Sequence, residues 1–306
     1  ALRSDMIAPE TQRVLPATAR VVIYGRRGDL AGQLARIRRI PASLAPAGNA
    51  LHDTPHANVP LLPEAHPELE FFNGHGGFAE DGREYVVFPH PNSMTPCPWI
   101  NVIANPHFGF HAAADGCGYT WFGNSRENQL TPWANDPISN PPGEAFYIRD
   151  PQSPNLISPT VLPVRSTAGK YEVRHGFGYT RYRRQVDGLT IDMTQCVPLV
   201  ETVKLTEIRI TNTGKFARKL THTYFADVVM GHSRSANASF IVTSRDELGN
   251  ALFAQNRWKN EGGEQVMFMD MSGLQTSWTG DRLEFLGKHG SMAAPSALAR
   301  SGGLSN

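Results

Sequence analysis

Residues 171–196 read YEVRHGFGYTRYRRQVDGLTIDMTQC, and their alternation is typical of antiparallel β-structure. In the first nine residues every second side chain is aromatic, aliphatic or histidine, and alternation resumes from Leu189 onward. Between these runs, Asp187 and Gly188 tolerate the left-handed backbone that a two-residue hairpin turn requires. The segment therefore predicts a β-hairpin that turns at Asp187-Gly188.

A second hairpin is predicted immediately downstream. Residues 204–210 are strand-like, 211–214 are turn residues, and alternation returns between Leu220 and Val228. The chain also contains 28 glycines and 23 prolines, which interrupt the sequence often enough that long helices are not expected after residue 66. Many short strands with frequent turn signals predict an all-β fold, a large antiparallel sandwich.

The first 66 residues have a different character. Apolar side chains recur on one helical face of residues 28–40, at Leu30, Leu34, Ile37 and Ile40, which predicts a short amphipathic helix. Residues 41–67 are rich in proline, alanine and histidine and are interpreted as a linker. We therefore expect an N-terminal helical and linker segment at 1–66 and a β-sandwich domain at 67–306.

Charge and cysteine usage exclude several classes of protein. Lysine and arginine total 29 against 28 acidic residues, and this balance argues against a nucleic-acid partner while fitting an uncharged ligand such as a glycan. Three scattered cysteines, Cys97, Cys117 and Cys196, give neither a disulfide framework nor a metal-binding spacing and favour a reducing compartment. No apolar run approaches the roughly 20 residues of a membrane-spanning helix, so a location on the cytoplasmic side is expected.

Residues 118–150 form the segment with the most functional side chains, GYTWFGNSRENQLTPWANDPISNPPGEAFYIRD. Residues 124–142 are too polar and proline-rich for a strand, and long ordered loops in compact domains are usually functional. Trp121 and Trp133 offer flat apolar faces, beside which planar polar groups can bind hydroxyls. The candidate sugar-binding residues are Arg126, Glu127, Asn128, Gln129, Trp133 and Asp136. The alternative is a loop that satisfies itself, with Arg126 paired to Glu127 or Asp136 and the tryptophans in the core.

Two other clusters are less informative. The glycine-rich run FFNGHGGF at 71–78 lacks the following Lys-Ser/Thr and helix of a phosphate-binding loop, so a strand-to-strand turn shaped by Asp81-Gly82 is favoured. His107 and His111 would lie about 13 Å apart on a strand, too far for one zinc ion. No metal site and no catalytic set is predicted in this chain.

Several long motifs resemble the supersandwich domain of the family-94 glycoside phosphorylases. They are FFNGHGGFAEDGREYVV, PWINVIANPHFGF, the 118–150 segment and YEVRHGFGYTRY, and they occur in the family's order over about residues 14–300. Members of the family resemble this chain in four short motifs. These are an arginine near the position of Arg126, a Leu-Thr pair like residues 130–131, an aromatic-Ile/Leu-Arg-Asp run like residues 147–150 and an RHGxGYT motif like residues 174–180. Within the family the motifs most resemble the C-terminal region of cyclic β-1,2-glucan synthases.

The resemblance implies a function for a larger enzyme. In the family an (α/α)6 barrel follows the sandwich and carries the catalytic acid, while the sandwich forms dimers and lends loops to the rim of the active site. We therefore expect a non-catalytic, sugar-handling and dimer-forming domain that is incomplete at its C-terminus, inactive alone, and without cofactor. Its parent would act on a β-glucan oligosaccharide with inorganic phosphate as co-substrate, and could be anchored in the inner membrane. The alternative is a stand-alone carbohydrate-binding or interaction module.

Overall fold

The computed structural model describes residues 23, 25, 28–37, 68–151, 153, 155–258, 265–272, 275–288, 290–299 and 303–305. The chain divides into two compact units, Ala1–Ala50 and Leu51–Asn306. The linker predicted at 41–67 lies outside the described residues, so that interpretation and the boundary at 66/67 stay predictions. None of the helices in the described ranges is long and apolar enough to cross a membrane.

The first unit contains the predicted helix, α1 (Leu30–Ile37). Asp29 caps the N-terminus of this helix, because a carboxylate oxygen of Asp29 accepts a hydrogen bond from the Gly32 amide at 2.7 Å. Such a side chain satisfies one of the amides that the first helical turn leaves unpaired. Leu30 and Leu34 on the predicted apolar face are exposed within this unit.

The regular secondary structure of the second unit consists mostly of short strands, as the all-β prediction requires. In chain order they are β1 (Gly76–Ala79), β2 (Glu84–Val87), β3 (Ile100–Ala104), β4 (Phe108–Ala113), β5 (Gly118–Phe122), β6 (Glu144–Arg149), β7 (Leu156–Ile157), β8 (Lys170–Gly176), β9 (Tyr179–Val186), β10 (Leu189–Cys196), β11 (Leu205–Asn212), β12 (Thr221–Ala226), β13 (Ile241–Arg245), β14 (Leu252–Asn256) and β15 (Met267–Met269). The helices are one-turn segments, α2 (Arg234–Asn237), a 3₁₀ turn (Ala238–Phe240), α3 (Arg282–Leu286) and α4 (Ser296–Ala299).

Within the described residues the strands form four sheets, and every pairing among them is antiparallel. The largest has the order β1-β2-β8-β9-β10-β11, and three smaller sheets have the orders β3-β4-β5, β12-β6-β7 and β13-β14-β15. Neighbours along the chain are mostly neighbours in a sheet, which is the usual outcome when short turns connect antiparallel strands. This architecture confirms the predicted all-β sandwich.

The predicted hairpin is present between β9 and β10. Val186 pairs with Leu189, and both turn residues have positive φ angles, 49° at Asp187 and 72° at Gly188. The upstream alternation, however, belongs to two strands and not one, because Phe177-Gly178 forms a further two-residue turn with Gly178 at φ 84°. Odd-numbered residues face the core before this turn and the outer side of the sheet after it, because Gly176 pairs with Tyr179 and the two residues share the outer face.

The second predicted hairpin is wrong. β11 and β12 both exist close to the predicted positions, but β11 closes the six-stranded sheet while β12 pairs with β6. Alternation identifies a half-buried strand but carries no information about its partner. The eight residues between these strands carry the chain from one sheet to another.

Three hydrophobic clusters form the core of the part of the chain that the structure describes. The six-stranded sheet packs its inner face against the inner face of β3-β4-β5, with Val87, Ile103, Phe110, Val173, Tyr182 and Met193 at the contact. Its other end packs against β6 and β7 through Ile148, Ile157, Val186, Leu189 and Ile191. A third cluster joins β6 and β12 to α3 and α4. The sheet β3-β4-β5 consequently buries one face and leaves its other face for the long loop that follows β5.

Candidate aromatic site on the outer face of the β3-β4-β5 sheet

Cross-strand register gathers aromatic residues on this outer face. Two rows cross the sheet, Val102–His111–Tyr119 and Ala104–Gly109–Trp121. Directly opposed residues in antiparallel strands point to the same side and contact each other. Tyr119 and Trp121 are two residues apart on β5, so both rings lie on this face.

Trp121 lies flat against the sheet because Gly109 has no side chain. A Cβ at Gly109 would lie 2.6 Å from Cζ2 of Trp121 and 2.6 Å from Cβ of Ala104, far inside contact distance. Glycine within a strand commonly marks such a close approach. The indole therefore covers the strand backbone at Gly109, and its side chain remains partly exposed.

Trp133 returns from the loop to stack on the same sheet. Its ring is parallel to that of Tyr119 at 5.4 Å between centroids and 4° between planes, and it meets His111 edge-on at 5.7 Å. Tyr119 and His111 are buried, whereas Trp133 remains 44% exposed. We call Tyr119, Trp121, Trp133 and His111 the aromatic platform. The tryptophans belong neither to the core, as the alternative expected, nor to a free loop.

The polar groups at the tip of the loop form hydrogen bonds and an ion pair with one another. The side-chain oxygen of Asn124 accepts hydrogen bonds from the backbone amides of Arg126 at 2.9 Å and Glu127 at 3.0 Å. Arg126 also pairs with Glu127 at 3.3 Å, with the two side chains 89% and 62% exposed. Asn128 donates its side-chain amide to the Phe122 carbonyl. The alternative interpretation was therefore correct for the Arg126–Glu127 pair.

Behind the tip, the chain is anchored into the fold. The backbone of Gln129 exchanges two hydrogen bonds of 3.0 Å with Gly231, and its buried side-chain oxygen accepts from the Trp133 amide. The amide of Leu130 donates to the Thr120 carbonyl at 2.8 Å. Gln129, one of the predicted ligand-binding residues, anchors the loop through these hydrogen bonds and sets the position of Trp133.

A buried carboxylate lies under this anchor. One oxygen of Glu144 accepts from the hydroxyls of Thr120 at 2.6 Å and Thr131 at 2.8 Å, and the other accepts from Lys204 at 2.8 Å and Tyr224 at 3.2 Å. Four donors satisfy the acceptor capacity of a carboxylate. We call Glu144 and these four partners the Glu144 network; it joins β5, the loop, β6, β12 and the β10–β11 connection.

The Glu144 network affects the pKa values of Glu144 and of His111 in the platform. Burial alone would raise the pKa of Glu144, but the charge and hydrogen bond of Lys204, with the two threonine hydroxyls, hold that pKa below its ordinary value. Burial, with the positive charge of Lys204, lowers the pKa of His111 to about 4. At neutral pH the platform therefore contains a neutral imidazole over a buried ion pair.

Asp136 occupies a separate turn. Its carboxylate accepts from the amides of Ile138 at 3.0 Å and Ser139 at 3.3 Å, and from the Ser139 hydroxyl, which lowers the pKa of Asp136. Among the described residues, no hydrogen bond or ion pair joins Asp136 to Arg126. Within the same part of the chain, no group of three potential metal ligands is present.

The structure thus divides the six predicted residues. Trp133 lies in the platform, Arg126 and Glu127 lie at the exposed tip, Asn128 and Gln129 hold the loop, and Asp136 shapes a later turn. Sequence reasoning did not identify Tyr119, Gly109 or Glu144. The spacing Tyr119-x-Trp121 in a predicted strand could have placed both rings on one face, whereas the role of Glu144 depends on contacts between distant segments.

Comparison with known proteins agrees with this architecture. Residues 83–306 match the sequence model of the glycosyl hydrolase 94 supersandwich domain. The chain is 36% identical to the cyclic beta-(1,2)-glucan synthase NdvB of Rhizobium meliloti (strain 1021), over 97% of this chain and 11% of that protein. It is 26% identical to the N,N'-diacetylchitobiose phosphorylase of Vibrio furnissii, over 74% of this chain and 28% of that protein, and 26% identical to the solabiose phosphorylase of Paenibacillus borealis, over 76% and 30%.

The chain thus spans less than a third of each of these relatives. The family match, in contrast, covers most of the chain and nearly all of the described β-structure. This chain belongs to the glycosyl hydrolase 94 family, and residues 83–306 are its supersandwich domain.

Proposed function

We propose that this chain is the non-catalytic, sugar-handling part of a carbohydrate-active enzyme that makes or trims β-glucan, and that the aromatic platform contacts the glycan. The observation that carries the proposal is the exposed, parallel stack of Trp133 on Tyr119 beside the flat indole of Trp121. The names of the similar proteins, a glucan synthase and several disaccharide phosphorylases, also support the proposal.

The chemistry of the platform suits a sugar ring. A pyranose has C–H faces that pack on aromatic rings and hydroxyl edges that hydrogen-bond to planar polar groups. Trp133 is 44% exposed, and the exposed Arg126 and Glu127 lie a few residues before it at the tip of the same loop. Both side chains can exchange their mutual ion pair for sugar hydroxyls at little cost, since exposed pairs are weak.

The proposal includes the parent enzyme. There, a carboxylic acid outside this chain would protonate the leaving oxygen while inorganic phosphate attacks as nucleophile, an inverting reaction that requires no metal. In this scheme the chain supplies no catalytic residue, works with an (α/α)6 catalytic domain, contributes to a homodimer and lies on the cytoplasmic side.

Replacing Trp133 by alanine tests the platform. We expect Trp133→Ala to weaken binding of a linear β-1,2-glucan oligosaccharide by roughly tenfold in calorimetric titration, through loss of stacking. Because the side chain is half-exposed, unfolding should become easier by only about 1–2 kcal/mol, less than the roughly 3–5 kcal/mol of a buried tryptophan.

Trp258→Ala is the matched control. Trp258 is also exposed and stacks on an aromatic neighbour, Phe240 at 5.2 Å, but it follows β14 in a different sheet. Its loss should leave glucan affinity unchanged. Equal affinity of Trp133→Ala and the unmodified chain, with a strongly lowered melting temperature, would show that the platform is scaffold only.

A stand-alone carbohydrate-binding or interaction module is the second candidate. It is favoured by the exposed apolar side chains of Ile100 and Val102 on the edge strand β3, next to the platform. Exposed apolar patches of this kind mark interaction surfaces. A natural reading frame that continues into a helical domain would support the enzyme, and one that stops near Asn306 would support the module.

A further inference from the structure

A trough runs along β10 on the outer face of the six-stranded sheet. The outward side chains of β10 are short, Thr190, Asp192 and Thr194, whereas those of the flanking strands are long, Arg181 and Arg183 on β9 and Glu207 and Arg209 on β11. These residues, with Glu84, Tyr179 and Thr211, line an open groove of about 600 Å³.

Exposure confirms that β10 forms the floor. The side chain of Asp192 is 17% exposed, against 41% for Arg181 and Arg183 on one wall and 70% or more for Glu207 and Arg209 on the other. At about 3.3 Å per residue, the floor from Thr190 to Thr194 is roughly 13 Å long. The shape therefore suits an extended chain that lies parallel to β10.

The charges of the trough cancel. Three arginines (Arg181, Arg183 and Arg209) face three carboxylates (Glu84, Asp192 and Glu207). A nucleic acid or another polyanion would require a surplus of positive charge. The floor carries no aliphatic side chain, whereas the centre of a protein–protein interface is usually apolar or aromatic. The lining therefore favours a neutral, polar ligand.

The trough also supplies many hydrogen-bonding groups. One oxygen of Asp192 accepts from Arg181 at 2.9 Å and from Arg183 at 2.8 Å, which fixes both guanidinium groups and leaves further N–H donors on each. Two threonine hydroxyls flank Asp192 on the floor. At one end, the ring of Tyr179 lies over Gly176, where there is no room for a Cβ. The ring is a stacking surface beside rows of donors and acceptors.

We propose that this trough binds a neutral, extended polyhydroxylated chain, a glycan, at a site separate from the aromatic platform. The proposal rests on the proposed function only in the choice of a glucan as ligand. The trough and the platform lie on different sheets, so a longer glycan could contact either one without the other. The floor hydroxyls and the fixed guanidinium groups are the specific contacts.

The test is a titration of the isotope-labelled 306-residue chain with a linear β-1,2-glucan oligosaccharide, followed by amide NMR shifts. We expect shifts in residues 181–194 and 207–211, with an affinity that the double variant Thr190→Val/Thr194→Val weakens by roughly tenfold. Valine has the shape of threonine and favours strands, so the fold should persist. A sulfated oligosaccharide of the same length should not shift these amides more strongly than the neutral one.

The outcomes separate this proposal from the platform. Shifts confined to residues 119–133 would overturn the proposed binding in the trough and support glycan binding at the platform. Shifts confined to β9–β11 would support binding in the trough and count against the platform. Trough shifts that persist unweakened in the valine double variant would also overturn the proposal, since the floor hydroxyls would then not be the contacts. Stronger binding of the sulfated probe would identify an anion surface instead.

Discussion

The outer face of β3-β4-β5 and the outer face of β8–β11 are both exposed sides of antiparallel sheets, yet they are chemically opposite. On the first, β5 directs Tyr119 and Trp121 outward. On the second, β10 directs Thr190, Asp192 and Thr194 outward. The same period of two produces both faces. The comparison teaches that alternation assigns side chains to a face, while their chemistry decides what the face can contact.

What lies beneath the two faces also differs. The aromatic platform is held by the Glu144 network, in which a buried carboxylate and a lysine that is only 12% exposed neutralise each other. Beneath the trough, the inner side of β10 carries Ile191 and Met193 in the apolar core, and the inner side of β9 carries the buried Arg184. Substitutions under the platform should therefore be costly, and those on the trough wall should not.

The largest effect is expected from Glu144→Gln. The change removes the counter-ion of Lys204 and leaves a buried charge unpaired, which should lower the free energy of unfolding by about 3–5 kcal/mol. Urea unfolding measures it. Glu127→Gln at the exposed loop tip makes the same chemical change and should stay within about 0.5 kcal/mol. Similar losses in the two variants would contradict the contrast between tip and network.

A smaller effect should appear with pH. Burial lowers the pKa of both His111 and His175 to about 4. The unfolded chain, with ordinary histidines, therefore binds more protons below pH 6.5, so stability falls as pH decreases. From pH 7.5 to 5, each histidine should cost about 2 kcal/mol.

His111→Phe isolates the contribution of the platform. Phenylalanine keeps a ring beside Tyr119 and Trp133 but cannot be protonated, so the decrease in unfolding free energy between pH 7.5 and 5 should shrink by about 2 kcal/mol, the contribution of His111. Burial also lowers the pKa of His175 and His222, and their contributions should remain. Urea titrations at the two pH values measure this. An unchanged decrease would mean that His111 does not titrate differently in the folded and unfolded chains.

The smallest effect should come from the trough wall. Arg209→Ala removes an ion pair with Glu207 of 3.1 Å in which both side chains are exposed. Exposed pairs contribute little, so the change in unfolding free energy should be about 0.5 kcal/mol or less. Thermal melting measures it, and a loss above 1 kcal/mol would show that the polar face is part of the stabilising core.

Much of the fold could be predicted from sequence because its signals are local. The turn at Asp187-Gly188, the absence of long helices in the described ranges and the strands on either side of residues 213–220 all depend on residues close together in the chain. The partner of β12 could not be predicted, because β6 lies more than 70 residues upstream and no local pattern specifies it. The turn at Phe177-Gly178 was missed since alternation continues across it.

The loop that carries the candidate site could be located from sequence for the same reason. Composition identified the loop and Trp133, because an aromatic residue among amides and prolines is visible in a short window. It could not separate ligand-facing side chains from anchors such as Gln129, whose role depends on Gly231 about 100 residues away. Glu144 was visible as an acid, but its four donors come from segments that only folding brings together.

The tip of the loop, whose hydrogen bonds lie mostly within residues 122–128, and its base at residues 129–131, which is anchored in the fold, should open at two different rates. The tip is closed by hydrogen bonds that Asn124 and Asn128 make within residues 122–128, so it can open and close as an ordinary surface loop, on a timescale of nanoseconds to microseconds. Residues 129–131 can be released only when β-bridges and the Glu144 network break, which is a sub-global event of much higher free energy. Arg126 and Glu127 can therefore sample many positions around a glycan while Trp133 keeps a fixed orientation. The loop combines a rapidly moving tip with a fixed stacking surface, and Glu127 in the tip is only six residues from Trp133.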